Sequence, residues 1–131
     1  MVHHQIMYQL TTNNAALEPD TIFMALSDLT RLRTLVLLGS EGELCVCELT
    51  HALGEIQPKI SRHLAQLRET GVVLDRRQER WIYYRLNPQL PEWSRDVLER
   101  TVAGLIKQPP FSVDLQALRT MPNRPGNTCC A

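Results

Sequence analysis

Between residues 21 and 38 apolar side chains return every three or four positions, with Ile22, Leu26, Leu29, Leu32 and Val36 as anchors of a helical stripe. Ser27 and Asp28 interrupt the stripe and are good capping residues, so the pattern predicts two helices, the second stopping at Gly39. Ser40-Glu41-Gly42-Glu43 reads as a turn, and a short helix over 48–53 is stopped by Gly54. Pro58 suits the first turn of a fourth helix, where its missing N–H costs nothing. That helix carries Ile60, Leu64 and Leu67 on its apolar side, carries Lys59, Arg62, His63 and Gln66 opposite, and closes at Gly71. Val72-Val73-Leu74 and Trp81-Ile82-Tyr83-Tyr84 read as strands around a polar hairpin tip, residues 75–80. A long helix over 92–106, with Trp93, Val97, Val102 and Leu105 apolar, ends before Pro109-Pro110; residues 111–121 allow one more short helix.

The expected class is mainly α with a β-hairpin wing, in the order α-α-α-α-β-β-α: a winged helix-turn-helix. The expected division is an N-terminal arm over 1–20, the winged domain over 21–107 and a C-terminal tail over 108–131. No apolar run approaches the roughly 18 residues of a membrane span, and the first residues lack a secretory pattern. The expectation is a cytoplasmic protein without a membrane partner.

A formal net charge of zero is unpromising for a nucleic-acid binder until it is mapped. Residues 1–58 carry two Arg against seven acids, a net of −5; residues 59–85 carry seven Lys or Arg against three acids, a net of +4. Such a basic middle fits either a phosphate-contacting module or a solvated helix face. The residue types on the fourth helix favour the first. Gln57 and Gln66 suit adenine, Arg62 suits guanine, and Ser61 and His63 suit bases or phosphates. Lys59 lies near a helix start, where unpaired backbone N–H groups also attract phosphate. Arg76, Arg77 and Arg80 on the ribbon would reach the flanking backbone or the minor groove, supplying affinity and orientation more than sequence choice.

Four cysteines fall into two tight pairs, Cys45/Cys47 and Cys129/Cys130. Neighbours this close make poor structural disulfides, and in a reducing compartment they point to metal binding or redox sensing. No Cys-x-x-Cys in a βαβ setting, phosphate loop or hydrolase signature is present, so an enzyme is not expected and no organic cofactor is implied.

Four blocks, residues 25–33, 43–49 (Glu-Leu-Cys-Val-Cys-Glu-Leu), 57–64 (Gln-Pro-Lys-Ile-Ser-Arg-His-Leu) and 74–85, agree in order and spacing with one known group. Over about residues 20–107 the chain resembles the ArsR/SmtB family, and within it the arsenic-responsive repressors of arsenical-resistance operons. The resemblance implies a homodimer joined through its first and last helices, which sits on an inverted repeat of double-stranded operator DNA. It also implies release of that DNA on binding arsenic(III) or antimony(III).

The pair Cys45/Cys47 limits where such a ligand can sit. Two residues apart inside a helix, the thiols would point roughly 200° apart, whereas in extended chain or at a helix start they can converge. A helix N-terminus also favours the thiolate. Soft sulfur ligands select soft ions, which include arsenic, antimony, cadmium, lead and zinc; a cadmium- or lead-responsive repressor, a thiol-oxidation sensor and a purely dimerising protein module are the competing readings. Many relatives carry a third cysteine three residues after the second, where this chain has Thr50. Cys129 or Cys130, a partner subunit's cysteine or glutathione are the candidate substitutes, the tail from Gln108 extending roughly 70 Å at full stretch. Alternatively Cys129 and Cys130 form a separate site or do nothing. The last long helix has no His or Cys, unlike that of the zinc-sensing relatives; His3 and His4 read as part of the arm, with weak metal binding as the alternative, and His51 reads as a solvated surface residue, with an approach to the thiolates as the alternative.

Overall fold

The computed structural model describes residues 18–125. Helix α1 (Pro19–Leu26) starts on a proline and buries Ile22 and Ala25. Its end is closed by Ser27, whose hydroxyl donates to the Met24 carbonyl at 2.7 Å. Asp28 then caps α2 (Leu29–Glu41), its carboxylate accepting the Arg31 N–H at 3.1 Å. The break at 27–28 resets the helical phase. Leu29, expected as a core anchor, is 59% exposed, and the buried positions of α2 are Thr30 and residues 34–38.

The end of α2 departs from expectation in two ways. The helix does not stop at Gly39; it runs to Glu41 and is capped at Gly42, whose φ of 95° favours glycine. Gly39 serves close packing instead: a Cβ there would lie 2.6 Å from Val102 Cγ2. The segment read as a turn leads directly into a strand, β1 (Glu43–Cys45), which is followed without a loop by α3 (Val46–Leu53). Gly54 ends α3 in the left-handed conformation, and α4 (Gln57–Glu69) follows with Pro58 in its first turn, burying Ile60, Leu64 and Leu67 as the spacing predicts.

Strands β2 (Val73–Gln78) and β3 (Trp81–Leu86) form the hairpin. The polar residues 75–78, expected within the tip, continue β2 as an exposed ladder up to the pair Gln78↔Trp81. The turn is therefore only Glu79-Arg80, with Glu79 at φ 58°. Strand β1 adds to the far side of β3, giving the antiparallel order β1-β3-β2. Helix α5 (Glu92–Leu105) packs on α2. Helix α6 (Phe111–Arg119), the further short helix that the sequence allows, packs along α3. Its Asp114 is buried against Arg33 of α2. No helix among the described residues is long and apolar enough to cross a membrane.

Candidate nucleic-acid interface and cysteine centre

Helices α3 and α4, joined by three residues, form the helix-turn-helix, and the β2–β3 hairpin is its wing. On α4, Gln57, Arg62 and Gln66 are exposed, and Lys59 and Ser61 are partly so. Lys59 Nζ rests 3.3 Å from Glu55, an exposed pair too weak to hold it back from a phosphate. Gln66 Oε1 accepts from Arg31 at 3.4 Å.

His63 is placed differently from its neighbours. Its side chain is only 13% exposed and faces α2, with Nε2 3.7 Å from the Asp28 carboxylate. Nδ1 is buried without a hydrogen-bond partner. Burial pushes the imidazole below its ordinary pKa against the opposing pull of Asp28, and Arg31, Arg62 and Lys59 add to the lowering. Such a residue braces α4 on α2 rather than facing a groove.

The wing arginines also divide. Arg76 grips Glu43 of β1 with two bonds, 2.8 and 2.7 Å, and lies 4.9 Å over the Tyr83 ring. Its guanidinium holds the Glu43 carboxyl below the usual range. Arg77 is exposed on the other face of the ribbon, and Arg80 occupies the turn, 5.9 Å from the Trp81 ring.

The sulfur pair lies at the junction between β1 and α3, a setting that combines the extended chain and the helix start its spacing allows. Cys45 ends β1 in extended conformation (φ −92°, ψ 171°) and is the N-cap of α3; Cys47 is in the first turn. Cys45 is 1% exposed and Cys47 half-buried. The junction is a capping box: the Cys45 N–H donates to Glu48 Oε1 at 2.9 Å while the thiol side chain faces the Glu48 N–H. Thr50, in the place of the third cysteine, donates its hydroxyl to the Cys47 carbonyl at 2.9 Å and stiffens the same turn. His51 is exposed in the last turn of α3, at the other end of the helix from the thiols.

Two residues of this centre were not anticipated. Glu48 is buried and receives Arg124 on its second oxygen, Nε to Oε2 at 2.6 Å. The Cys-x-x-Glu spacing mimics the Ser-x-x-Glu capping signature and is a usable signal for Glu48. Arg124, 76 positions away, has none. Among the described residues no three or more His, Cys, Asp or Glu cluster to hold a metal ion; Cys129, Cys130, His3 and His4 lie outside them.

Residues 28–74 match the family model "Bacterial regulatory protein, arsR family". The chain is 49% identical over 114 residues to the arsenic resistance transcriptional regulator ArsR2 of Pseudomonas putida, covering 86% of this chain and 97% of the relative. It is 52% identical over 81 residues to the arsenical resistance operon repressor of Escherichia coli K12, covering 62% and 69%. Among solved structures, the transcriptional regulator HlyU of Vibrio vulnificus superposes with a TM-score of 0.56 at 28% identity, covering 77% of this chain and 96% of that one.

Proposed function

The chain belongs to the arsR family of bacterial regulatory proteins, and from that premise we propose that it is an operator-binding repressor relieved by arsenic(III) or antimony(III). The members it resembles are transcriptional regulators, not enzymes. We place its work in the cytoplasm, where thiols stay reduced.

In this reading, α4 of each of two subunits enters the major groove. Gln57, Arg62 and Gln66 read bases, Lys59 and Ser61 position the helix, and Arg77 and Arg80 hold flanking phosphates. The dimer forms through α1 and α5. Their exposed apolar surface supports this: Phe23 and Met24 are 55% and 61% exposed, and Phe23 stacks on Trp93 at 6.3 Å.

The observation that carries the regulatory half is the position of Cys45 and Cys47 at the start of α3, directly ahead of the reading helix. Thiolates are the soft donors that a trivalent metalloid prefers. Ligation by both draws the first turn of α3 open and breaks the Cys45–Glu48 box, at a cost of about 1 kcal/mol. Because α3 packs on α4, the reading helix shifts with it. Two reading helices must match a half-site spacing of about 34 Å, so a small tilt of each weakens the grip on both half-sites.

Fluorescence anisotropy of a duplex carrying the inverted repeat, challenged in turn by arsenite, antimonite, cadmium and zinc, tests the assignment. Cys45→Ser and Cys47→Ser should bind the duplex within about twofold of the parent, under half a kcal/mol, and fail to release it with arsenite. Release by both variants at the parent's arsenite concentration overturns the assignment.

A further inference from the structure

Six large apolar side chains are exposed among the described residues. Phe23, Met24 and Trp93 belong to the α1–α5 surface proposed for the second copy, and Leu29 and Val113 lie on α2 and α6. The sixth, Ile56, is the most exposed at 68% and stands where α4 begins. Its backbone is extended (φ −75°, ψ 149°), and its carbonyl accepts the Lys59 and Ile60 N–H groups at 3.2 and 3.3 Å. Ile56 thus holds the N-cap position, yet its hydrocarbon side chain makes no cap. Isoleucine is among the least suitable residues there, because a cap needs a side-chain oxygen to accept an N–H of the first turn. The folded chain gains from this side chain neither a cap nor much buried apolar surface. Breaches of local preference of this kind concentrate at functional sites. The residues on either side are polar: Glu55, which pairs with Lys59 at 3.3 Å, and the exposed Gln57. An isolated apolar group therefore stands at the leading end of the reading helix, beside the side chains proposed to meet DNA.

We infer that Ile56 reads thymine, packing on the C5-methyl group of one T in each half-site. The inference rests on the proposed function above. In a helix-turn-helix the N-terminal residues of the second helix are those that meet base edges. The hydrogen-bonding groups of the major groove gain nothing from an aliphatic side chain, and the one alkyl group that base pairs present there is the thymine methyl. Phosphates offer Ile56 no partner either, so its contact carries sequence choice rather than general affinity. Gln57, the next residue, supplies hydrogen bonds, and the start of α4 combines a polar reader with an apolar one. A methyl group taken out of water is worth about fourfold in affinity, applied once in each half-site.

Fluorescence anisotropy on a duplex that the full chain itself selects from a random-sequence pool tests the contact. Each thymine of the half-sites is exchanged in turn for deoxyuridine, which removes the methyl and leaves every hydrogen-bonding group in place. One symmetric pair of exchanges should weaken the parent about fourfold per half-site, roughly fifteenfold for the duplex. The same pair should change the affinity of I56A and I56S by less than about twofold. I56S should also unfold at the parent's Tm or a few degrees above it, since serine restores a cap, so its lost preference cannot come from a damaged fold. If every thymine can be exchanged without loss in the parent, or if the exchanges weaken I56A as much as the parent, the inference is overturned and the proposed function stands. A parent that selects no duplex, or binds without salt dependence, overturns the proposed function itself.

Discussion

Arg33 of α2 and Asp114 of α6 form a two-pronged ion pair, Nε to Oδ2 at 2.9 Å and Nη2 to Oδ1 at 2.7 Å, with the aspartate 2% exposed. The same guanidinium donates to the Leu53 carbonyl at 3.0 Å. One side chain therefore joins α2, the end of α3 and α6. Removing the carboxylate strands a largely buried cation, and such losses cost about 3 kcal/mol or more. Asp114→Ala should lose about that much in urea unfolding, whereas Asp114→Glu should lose less by keeping an acceptor.

Glu48 links the sulfur junction to Arg124, and its variants separate two effects. Glu48→Gln keeps an acceptor for the Cys45 N–H; Glu48→Ala leaves that buried donor unsatisfied and should be less stable than Glu48→Gln by about 1 kcal/mol. If ligation must open the capping box, a variant in which the box is already broken has no opening cost. With the ion pair absent from both variants, Glu48→Ala should release DNA at an arsenite concentration about fivefold below that of Glu48→Gln. Equal concentrations would show that the box is not on the path between sulfur and DNA.

His63 gives the fold a predictable response to acid. Burial is the largest cause of its lowered pKa, so the folded chain resists the proton that the unfolded chain accepts below its ordinary value of 6.5. Stability is therefore full above that value and falls as pH drops through it toward the folded pKa. Thermal unfolding should show Tm declining from about pH 7.5 to about pH 5.5, with His63→Gln flattening the decline. A parent Tm constant over that window would contradict the burial of the ring.

The wing predicts unequal arginines. Removing one phosphate-neutralising side chain reduces the slope of log affinity against log salt by about 0.9. Arg77→Ala and Arg80→Ala should each do so. Arg76→Ala should change the slope less, because its charge is already balanced by Glu43, and should instead loosen β1 from β3. Titrations at several salt concentrations measure all three.

The helices were legible because their apolar spacing is local: Ile60, Leu64 and Leu67 point α4 inward with no knowledge of the rest of the chain. Strand β1 was not. Three residues carry no periodicity, and Glu43–Cys45 is extended because Arg85, Tyr84 and Tyr83 pair with it from about forty positions away in the chain. The same division runs through the candidate site. The interval between Cys45 and Cys47 called for extended chain or a helix start, and the structure has a strand end running into a helix start there. Charge pattern could not distinguish His63 turned inward from Arg62 turned outward, nor Arg76 held by Glu43 from Arg77 left exposed. Arg124 and Glu48 meet only because α6 folds back along α3, a tertiary event with no local trace.

Gly39 has a wider consequence than its size suggests. Anything larger than hydrogen at that position collides with Val102, a stiff β-branched side chain on α5, and would lever α5 away from α2. If two copies meet through α5, every increment of that gap is applied once in each copy, while the pitch of the double helix stays constant. A single methyl, distant from both the thiols and the groove-facing side chains, would then put the two halves of the reader out of step with their target.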